Sequence, residues 1–123
     1  MGKFNFKLQA VLNLKKQVED NMKNELGKAV QELERQKRIL REIELERDEY
    51  ITDMNKKSTS GVSVGKLKEY GLYISLLNKK ADNQKNNIKN AQECVDMYRE
   101  KLIVAMQERK VMEKLKEKKF EEY

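Results

Sequence analysis

One long apolar row occupies the stretch from Leu67 to Met112, which reads LKEYGLYISLLNKKADNQKNNIKNAQECVDMYREKLIVAMQERKVM. When positions are taken at spacings of three and four residues from Leu67 to Met112, every one is apolar except Gln84 and Arg109. Such spacing, sustained over many turns, is the signature of a coiled coil. The residues between these positions are mostly Lys, Glu, Asn, Asp or Gln. The stretch therefore predicts a long helix that packs along one side against another helix.

The first half of the chain carries a weaker row with the same spacing, from Leu8 to Met54. Ten of its fourteen positions are apolar, and the phase does not slip along its length. Gly27 lies within this row and costs a helix about 1 kcal/mol relative to Ala. We call the two rows together the seam, because we expect them to face each other.

A cluster of Ser, Thr and Gly separates the two rows, since Ser58–Gly65 reads STSGVSVG. Ser and Thr compete for backbone hydrogen bonds and Gly tolerates positive φ, so the cluster predicts a turn. Asn5 and Ser63 are suited to cap the two helices, because their side chains accept hydrogen bonds from free backbone N–H groups. The predicted layout is a single domain over residues 1–123, with a helix at about 5–57, a turn at about 58–63 and a helix at about 64–120.

Two helices of this length joined by so short a turn must run antiparallel, and each would be roughly 80 Å long. The predicted fold class is therefore all-α, with two long helices in an antiparallel coiled-coil hairpin. Four aromatic residues should gather at the end opposite the turn, namely Phe4, Phe6, Phe120 and Tyr123. A parallel homodimer of straightened helices is the alternative, and it would be nearly twice as long in solution.

Two glutamines interrupt the apolar rows, and an antiparallel register places them in adjacent layers. These residues are Gln36 and Gln84. A polar layer of this kind fixes the register of a coiled coil at some cost in stability. Two solvated glutamines at the edge of the seam are the other interpretation of the pattern.

The composition suits long helices and limits the classes of partner. Of 123 residues, 39% are charged, Pro and Trp are absent, and the net charge is +6 from 27 basic and 21 acidic side chains. A modest basic excess permits nucleic acid, an anionic membrane or an acidic protein as the partner. Because the signs are mixed and no run of five like charges occurs, a solvated helix surface is favoured and no nucleic acid partner is expected.

The chain lacks the side chains that most metal sites and active sites require. It contains no His and a single cysteine, Cys94, which excludes sites built on Cys and His and any disulfide within the chain. Beside the seam residue Val95, this cysteine is expected to be a half-buried structural thiol. No Gly-rich phosphate loop and no stretch of roughly 20 apolar residues is present. We expect a cytoplasmic protein with no enzymatic activity, no metal and no cofactor.

Two regions carry more apolar surface than the seam can cover. Near the turn, Leu72, Tyr73 and Leu76 lie off the seam. Exposed apolar patches mark partner sites on small proteins, although a locally wider core or self-association would also account for this region. The segment Arg109–Phe120 alternates basic and apolar residues, which suits a groove in another protein or a membrane surface.

Three segments resemble the flagellar FliJ family, small proteins of the flagellar type III export apparatus. Phe4–Leu8, which reads FNFKL, is similar to the aromatic, basic and aliphatic start of that family. Tyr50 and Tyr70–Ile74, which reads YGLYI, resemble its tyrosine-rich tip on either side of the turn. Arg109–Lys118, which reads RKVMEKLKEK, resembles its closing basic motif. The order and spacing of these segments around one turn extend the resemblance over the whole chain.

The resemblance implies a stalk-like hairpin that binds the hexameric export ATPase, promotes its assembly and activity, links it to the cytoplasmic domain of the export gate and helps to recycle export chaperones. The terminal end would face the ATPase through Phe4, Phe6, Leu8, Leu12, Arg109, Lys110, Met112 and Leu115. The half near the turn would face the gate through Ile39, Ile43, Tyr50, Tyr73, Leu77 and Gln84. The protein would then be peripheral at the cytoplasmic face of the membrane.

Two residues depart from the pattern of the family. Lys80 stands where other members carry a small apolar residue, and Glu46 stands where some carry an aromatic one.

Two other functions remain open at this point. A shaft subunit of a rotary ATPase fits the seam but usually has a further domain or longer ends. A basic coiled coil that binds nucleic acid or anionic membrane would show steep salt dependence of binding.

Overall fold

The computed structural model describes residues 2–123, and it contains two long α-helices. Helix α1 spans Gln9–Thr59 and helix α2 spans Val64–Glu122. No strand occurs within the described residues. The contacts between α1 and α2 are those of an antiparallel helical hairpin within one chain. The predicted fold class is confirmed, and the straightened parallel arrangement is not the one that this chain adopts.

The helix pair divides into two compact units. The first unit combines the chain up to Val30 with the segment from Glu93 onward, and the second unit is Gln31–Gln92, which includes the turn. Every buried residue of the described chain except Phe6 occupies a position of the seam. The seam therefore supplies the core of each unit, as its three-four spacing predicts.

Helix α1 begins four residues later than predicted, and Asn5 does not cap it. Residues 2–6 are non-helical, and the Gln9 N–H donates a hydrogen bond to the Phe6 carbonyl at 3.0 Å. This turn buries the Phe6 ring and brings Phe4 against the last residues of α2. Burying an aromatic ring outweighs the few hydrogen bonds that a longer helix would add.

The turn follows the predicted Ser/Thr/Gly cluster closely. Gly61 has a φ of 86°. The Val62 N–H donates to the Lys57 carbonyl at 3.3 Å, which is the hydrogen bond that spans six residues in a Schellman motif. At the start of α2, the Lys66 N–H donates to Ser63 Oγ at 3.3 Å. The prediction that Ser63 caps α2 is confirmed.

Gly61→Ala is expected to lower the free energy of unfolding by about 1 kcal/mol, because a Cβ is disfavoured at positive φ. Gly65→Ala is the matched control, since Gly65 has ordinary helical geometry and no atom lies within 4 Å of an added Cβ. The control should be neutral or slightly stabilising, because Ala favours helices over Gly. Urea unfolding of both variants measures the difference, and equal effects would contradict the assignment of Gly61 to the left-handed region.

Two further observations concern the chain as a whole. Cys94 is exposed, so the prediction of a half-buried thiol is wrong. It lies next to a seam position rather than in the row itself, and the facing helix does not cover it.

Neither α1 nor α2 has a stretch that is long and apolar enough to span a membrane.

Candidate functional site

The terminal end of the first unit holds a cluster of aromatic rings. The ring centroid of Phe4 lies 5.2 Å from that of Phe120 in an edge-to-face arrangement, and 5.6 Å from that of Tyr123. Both geometries are favourable for aromatic pairs. Phe6 is buried nearby, while Phe120 and Tyr123 remain largely exposed. The predicted gathering of these four aromatic residues is confirmed.

An open cleft of about 670 Å³ lies beside this aromatic cluster. Five of its ten lining residues are aromatic or aliphatic and three are lysines: Lys3, Phe4, Asn5, Phe6, Lys7, Leu8, Leu115, Lys119, Glu122 and Tyr123. Its single carboxylate, Glu122, lies 3.6 Å from Lys119. Such a surface suits a partner segment that combines apolar side chains with negative charge. We call the cluster and the cleft together the terminal surface.

The residues assigned to the ATPase by resemblance do not all lie on this surface. Phe4, Leu8 and Leu115 line the cleft and are at least partly accessible, whereas Leu12 is buried in the seam. Phe6 also lines the cleft but is buried, Lys110 is exposed, and Met112 and Arg109 are half-buried. The accessible residues can contact a partner directly, and the buried ones can act only by holding the helices in place.

Arg109 is bound within the chain by two carboxylates. Its Nε donates to Glu19, and its Nη1 donates to Glu113 Oε2 at 2.8 Å. Lys23 Nζ lies 3.6 Å from the other oxygen of Glu19, and Glu19 is only 4% exposed. The hydrogen bond from Arg109 holds the pKa of Glu19 below its ordinary value, and the same bond raises the pKa of Arg109. Within this cluster the Glu19 carboxylate is buried and Arg109 is half-buried, and the sequence did not predict their pairing.

A second surface lies in the unit that contains the turn, where three tyrosine rings meet. The centroid of Tyr50 is 4.5 Å from that of Tyr73 and 5.9 Å from that of Tyr70. Tyr50 is exposed, whereas Tyr70 and Tyr73 are half-buried. We call this group the tyrosine cluster. Tyrosines of this kind combine a large apolar face with a polar end, which is common at binding sites.

Charged residues anchor the hydroxyl groups of the tyrosine cluster. Tyr70 donates to Asp53 Oδ2 at 2.6 Å and accepts a hydrogen bond from Lys57 Nζ at 2.6 Å. The bond from Tyr70 lowers the pKa of Asp53. Tyr73 donates to Glu46, which raises the pKa of Tyr73. Glu46 serves as the acceptor that orients the Tyr73 ring.

The residues assigned to the gate by resemblance also differ in accessibility. Tyr50 is exposed, and Ile39, Ile43 and Tyr73 are half-buried. Leu77 and Gln84 are buried in the seam. The nearby residues Leu72 and Leu76 are exposed, as predicted for side chains that the seam cannot cover. The accessible part of this region therefore consists of the tyrosine cluster with neighbouring aliphatic side chains.

Gln84 and Gln36 form the predicted polar layer. Gln84 Nε2 donates to Gln36 Oε1 at 2.6 Å and to the Gln36 backbone carbonyl at 2.8 Å. Asn87 Nδ2 donates to Gln84 Oε1 at 3.0 Å, so both ends of the buried amide are satisfied. Because a shifted register would leave this amide without partners, the layer favours the observed pairing of the helices.

Two accessible aromatic surfaces characterise the described part of the chain. Among residues 2–123, no group of three or more His, Cys, Asp or Glu side chains is placed to hold a metal ion. Both surfaces are aromatic and lie on a helical hairpin. This fold defines the chain as a coiled-coil protein.

A family model described as Flagellar FliJ protein matches residues 4–123, which is essentially the whole chain. The protein belongs to the FliJ family and is therefore a coiled-coil protein related to flagellar export. No curated protein and no solved structure matches it significantly.

Proposed function

We propose that the terminal surface binds the hexameric export ATPase and promotes its assembly and activity. Membership of the family supports a role in flagellar export, and the aromatic cleft with its three lysines is the observation that carries the assignment to this end. A ligand that binds only the assembled ring favours the ring over separate subunits by mass action. Hydrolysis belongs to the ATPase, and this chain organises it.

The tyrosine cluster is the proposed contact with the cytoplasmic domain of the export gate. Its support is the exposed ring of Tyr50, together with the accessible aliphatic residues Leu72 and Leu76. Aromatic residues surrounded by aliphatic ones are typical of binding hot spots. Lys80, where the resemblance implies a small apolar residue, is exposed in the same unit.

The remaining parts of the proposal follow from the family resemblance. The protein helps to recycle export chaperones, and it resides in the cytoplasm, peripheral to the membrane through the export apparatus. Nucleic acid is not a proposed partner. Several surface charges are paired with neighbours on the same helix, as in Glu32 with Arg35 and Glu34 with Lys37, which leaves less unpaired charge for an anionic polymer.

ATP turnover by the purified export ATPase of the same organism tests the proposal. Titration with this protein at fixed salt is expected to raise the rate to a plateau. The double variant Lys7→Glu/Leu8→Ala changes two exposed residues that line the cleft and is expected to shift the titration to at least about tenfold higher concentration, equivalent to about 1.4 kcal/mol.

The matched control is Leu72→Ala/Lys79→Glu, which makes the same kinds of change at two exposed residues of the other unit. It is expected to stimulate the ATPase as the natural chain does. Circular dichroism of both variants establishes that the helices remain intact. No stimulation by the natural chain, or equal loss in both variants, would reject the assignment of the ATPase to the terminal surface.

A further inference from the structure

We propose that residues 2–7 form a strap that docks and undocks as a unit while the helix pair stays folded, and that the terminal surface is complete only when the strap is docked. Phe6 is the anchor that holds the strap in the docked position. The docking equilibrium needs no partner, whereas its effect on the export ATPase rests on the proposed function. Each part therefore has its own test.

The strap is held to the helix pair by few interactions. None of residues 2–5 takes part in a hydrogen bond or an ion pair within the described chain. The Phe6 carbonyl accepts one hydrogen bond, from the Gln9 N–H, and the Phe4 ring contacts two aromatic rings at the end of α2. A segment with so few backbone hydrogen bonds can open without unfolding the elements that it covers.

Phe6 is the only buried residue of the strap. Its side chain is 7% exposed, whereas Phe4 is half-buried and the other strap residues are exposed. A buried aromatic ring contributes far more apolar contact than a half-buried one. Removal of the Phe6 ring is therefore expected to release the rest of the strap from the helix pair.

The docked strap forms one wall of the cleft. It supplies five of the ten lining residues, and these include two of the three lysines, Lys3 and Lys7. The opposite wall comes from the end of α2 together with Tyr123. When the strap undocks, the cleft loses this wall and most of its positive charge. A partner that occupies the cleft therefore binds the docked state and not the undocked one.

The docked fraction sets the apparent affinity for such a partner. Truncating a buried Phe to Ala shifts a folding equilibrium by more than about tenfold. Phe6→Ala is therefore expected to leave the strap mostly undocked, and to weaken binding although the Phe6 side chain is itself inaccessible. Phe6 is in this sense a positioning residue for Lys3, Phe4 and Lys7.

The first test uses the chain alone. The natural chain contains no Trp, so Phe4→Trp introduces a single fluorescent reporter on the strap. Its fluorescence and the circular dichroism of the helices are followed together in urea. The fluorescence transition should have the lower midpoint, because the strap undocks before the helices unfold. Coincident transitions would overturn the strap as a separate element.

Phe6→Ala in the Phe4→Trp chain tests the anchor. The quenching constant of the indole with acrylamide should rise at least about twofold as the strap undocks, while the helical circular dichroism is retained. Leu33→Ala is the matched control, since Leu33 is 6% exposed but lies in the other unit. This control should destabilise the helices without exposing the indole. Equal exposure of the indole in both variants would overturn the role of Phe6.

Titration of the export ATPase with the single variants Phe6→Ala and Phe6→Leu tests the link to binding. Phe6→Ala should shift the titration to at least about tenfold higher concentration. Phe6→Leu should restore most of the effect, because a large aliphatic side chain fills much of the same space. An unshifted titration for Phe6→Ala would overturn the link, if the same change exposes the indole. No stimulation by the natural chain would reject the proposed function, and the two fluorescence tests would still decide the strap.

Discussion

Leu77→Ala is expected to lower the free energy of unfolding by about 2–5 kcal/mol, as measured by urea denaturation. Leu77 is 1% exposed and is one of the largest fully buried side chains, with Leu12 and Val95. A hairpin of two helices has no second layer that could move in to fill the space. The loss therefore combines the transfer free energy of the missing methyl groups with the cost of the cavity.

Leu72→Ala is the matched control for this prediction, because the same side chain is 73% exposed five residues earlier on α2. It should change the free energy of unfolding by less than about 0.5 kcal/mol. Similar losses at both positions would contradict the burial of Leu77. The burial of Leu77 also matters for the proposed contact with the export gate. Weaker gate binding by Leu77→Ala would follow from disturbed helix packing, because the side chain is not accessible. Tyr50→Ala would instead test a direct contact, because Tyr50 is exposed.

Arg109→Met is expected to lower the melting temperature by several degrees at neutral pH. The change leaves the Glu19 carboxylate almost inaccessible to solvent and without its principal partner. Lys23, at 3.6 Å, is then the nearest remaining cation. Removing one member of a buried ion pair is costly because the other charge stays desolvated.

The same variant should alter how stability depends on pH. The folded-state pKa of Glu19 lies below the ordinary value of 4.5, chiefly because of the hydrogen bond from Arg109. The stabilisation that it provides is therefore present above pH 4.5 and is lost as the pH falls through the lower, folded-state pKa. Arg109→Met removes the main cause of that shift, so the melting temperature should fall less steeply on acidification than in the natural chain.

Two further variants compare the loss of the Glu19–Arg109 ion pair with the loss of an exposed ion pair on the helix surface. Arg35→Met removes an exposed pair within one helix, where Arg35 Nη2 lies 2.8 Å from Glu32, and should shift the melting temperature only slightly. The double variant Glu19→Leu/Arg109→Met should recover most of the stability that Arg109→Met loses, because it leaves no unpaired buried charge. No recovery in the double variant would mean that the loss comes from packing rather than from charge.

Much of the architecture was accessible from local patterns. The spacing of apolar residues predicted both helices and the hairpin, and all but one of the buried residues lie in the predicted rows. Ser63 and Gly61 mark the turn because a side-chain cap and positive φ are properties of single residues and their neighbours. The gathering of Phe4 with Phe120 and Tyr123 followed from the antiparallel topology.

Other features of the candidate sites were not predicted. Residue spacing placed Glu19 and Arg109 in the rows but did not pair them, because the pairing depends on the register of one helix against the other. The same holds for Tyr73, whose acceptor Glu46 lies on the facing helix. The late start of α1 depends on Phe6, which is buried only once the hairpin has formed.

Exposed apolar side chains illustrate the same division. The sequence contains Val11, Leu14 and Val18 at helical spacing, but these residues stand out only when the seam is known to leave them uncovered. Periodicity along the chain was enough to predict helices, turn and core, since these depend on interactions between near neighbours. Register, buried ion pairs and accessible surfaces depend on contacts between residues far apart in sequence, and the packed helix pair was needed to establish them.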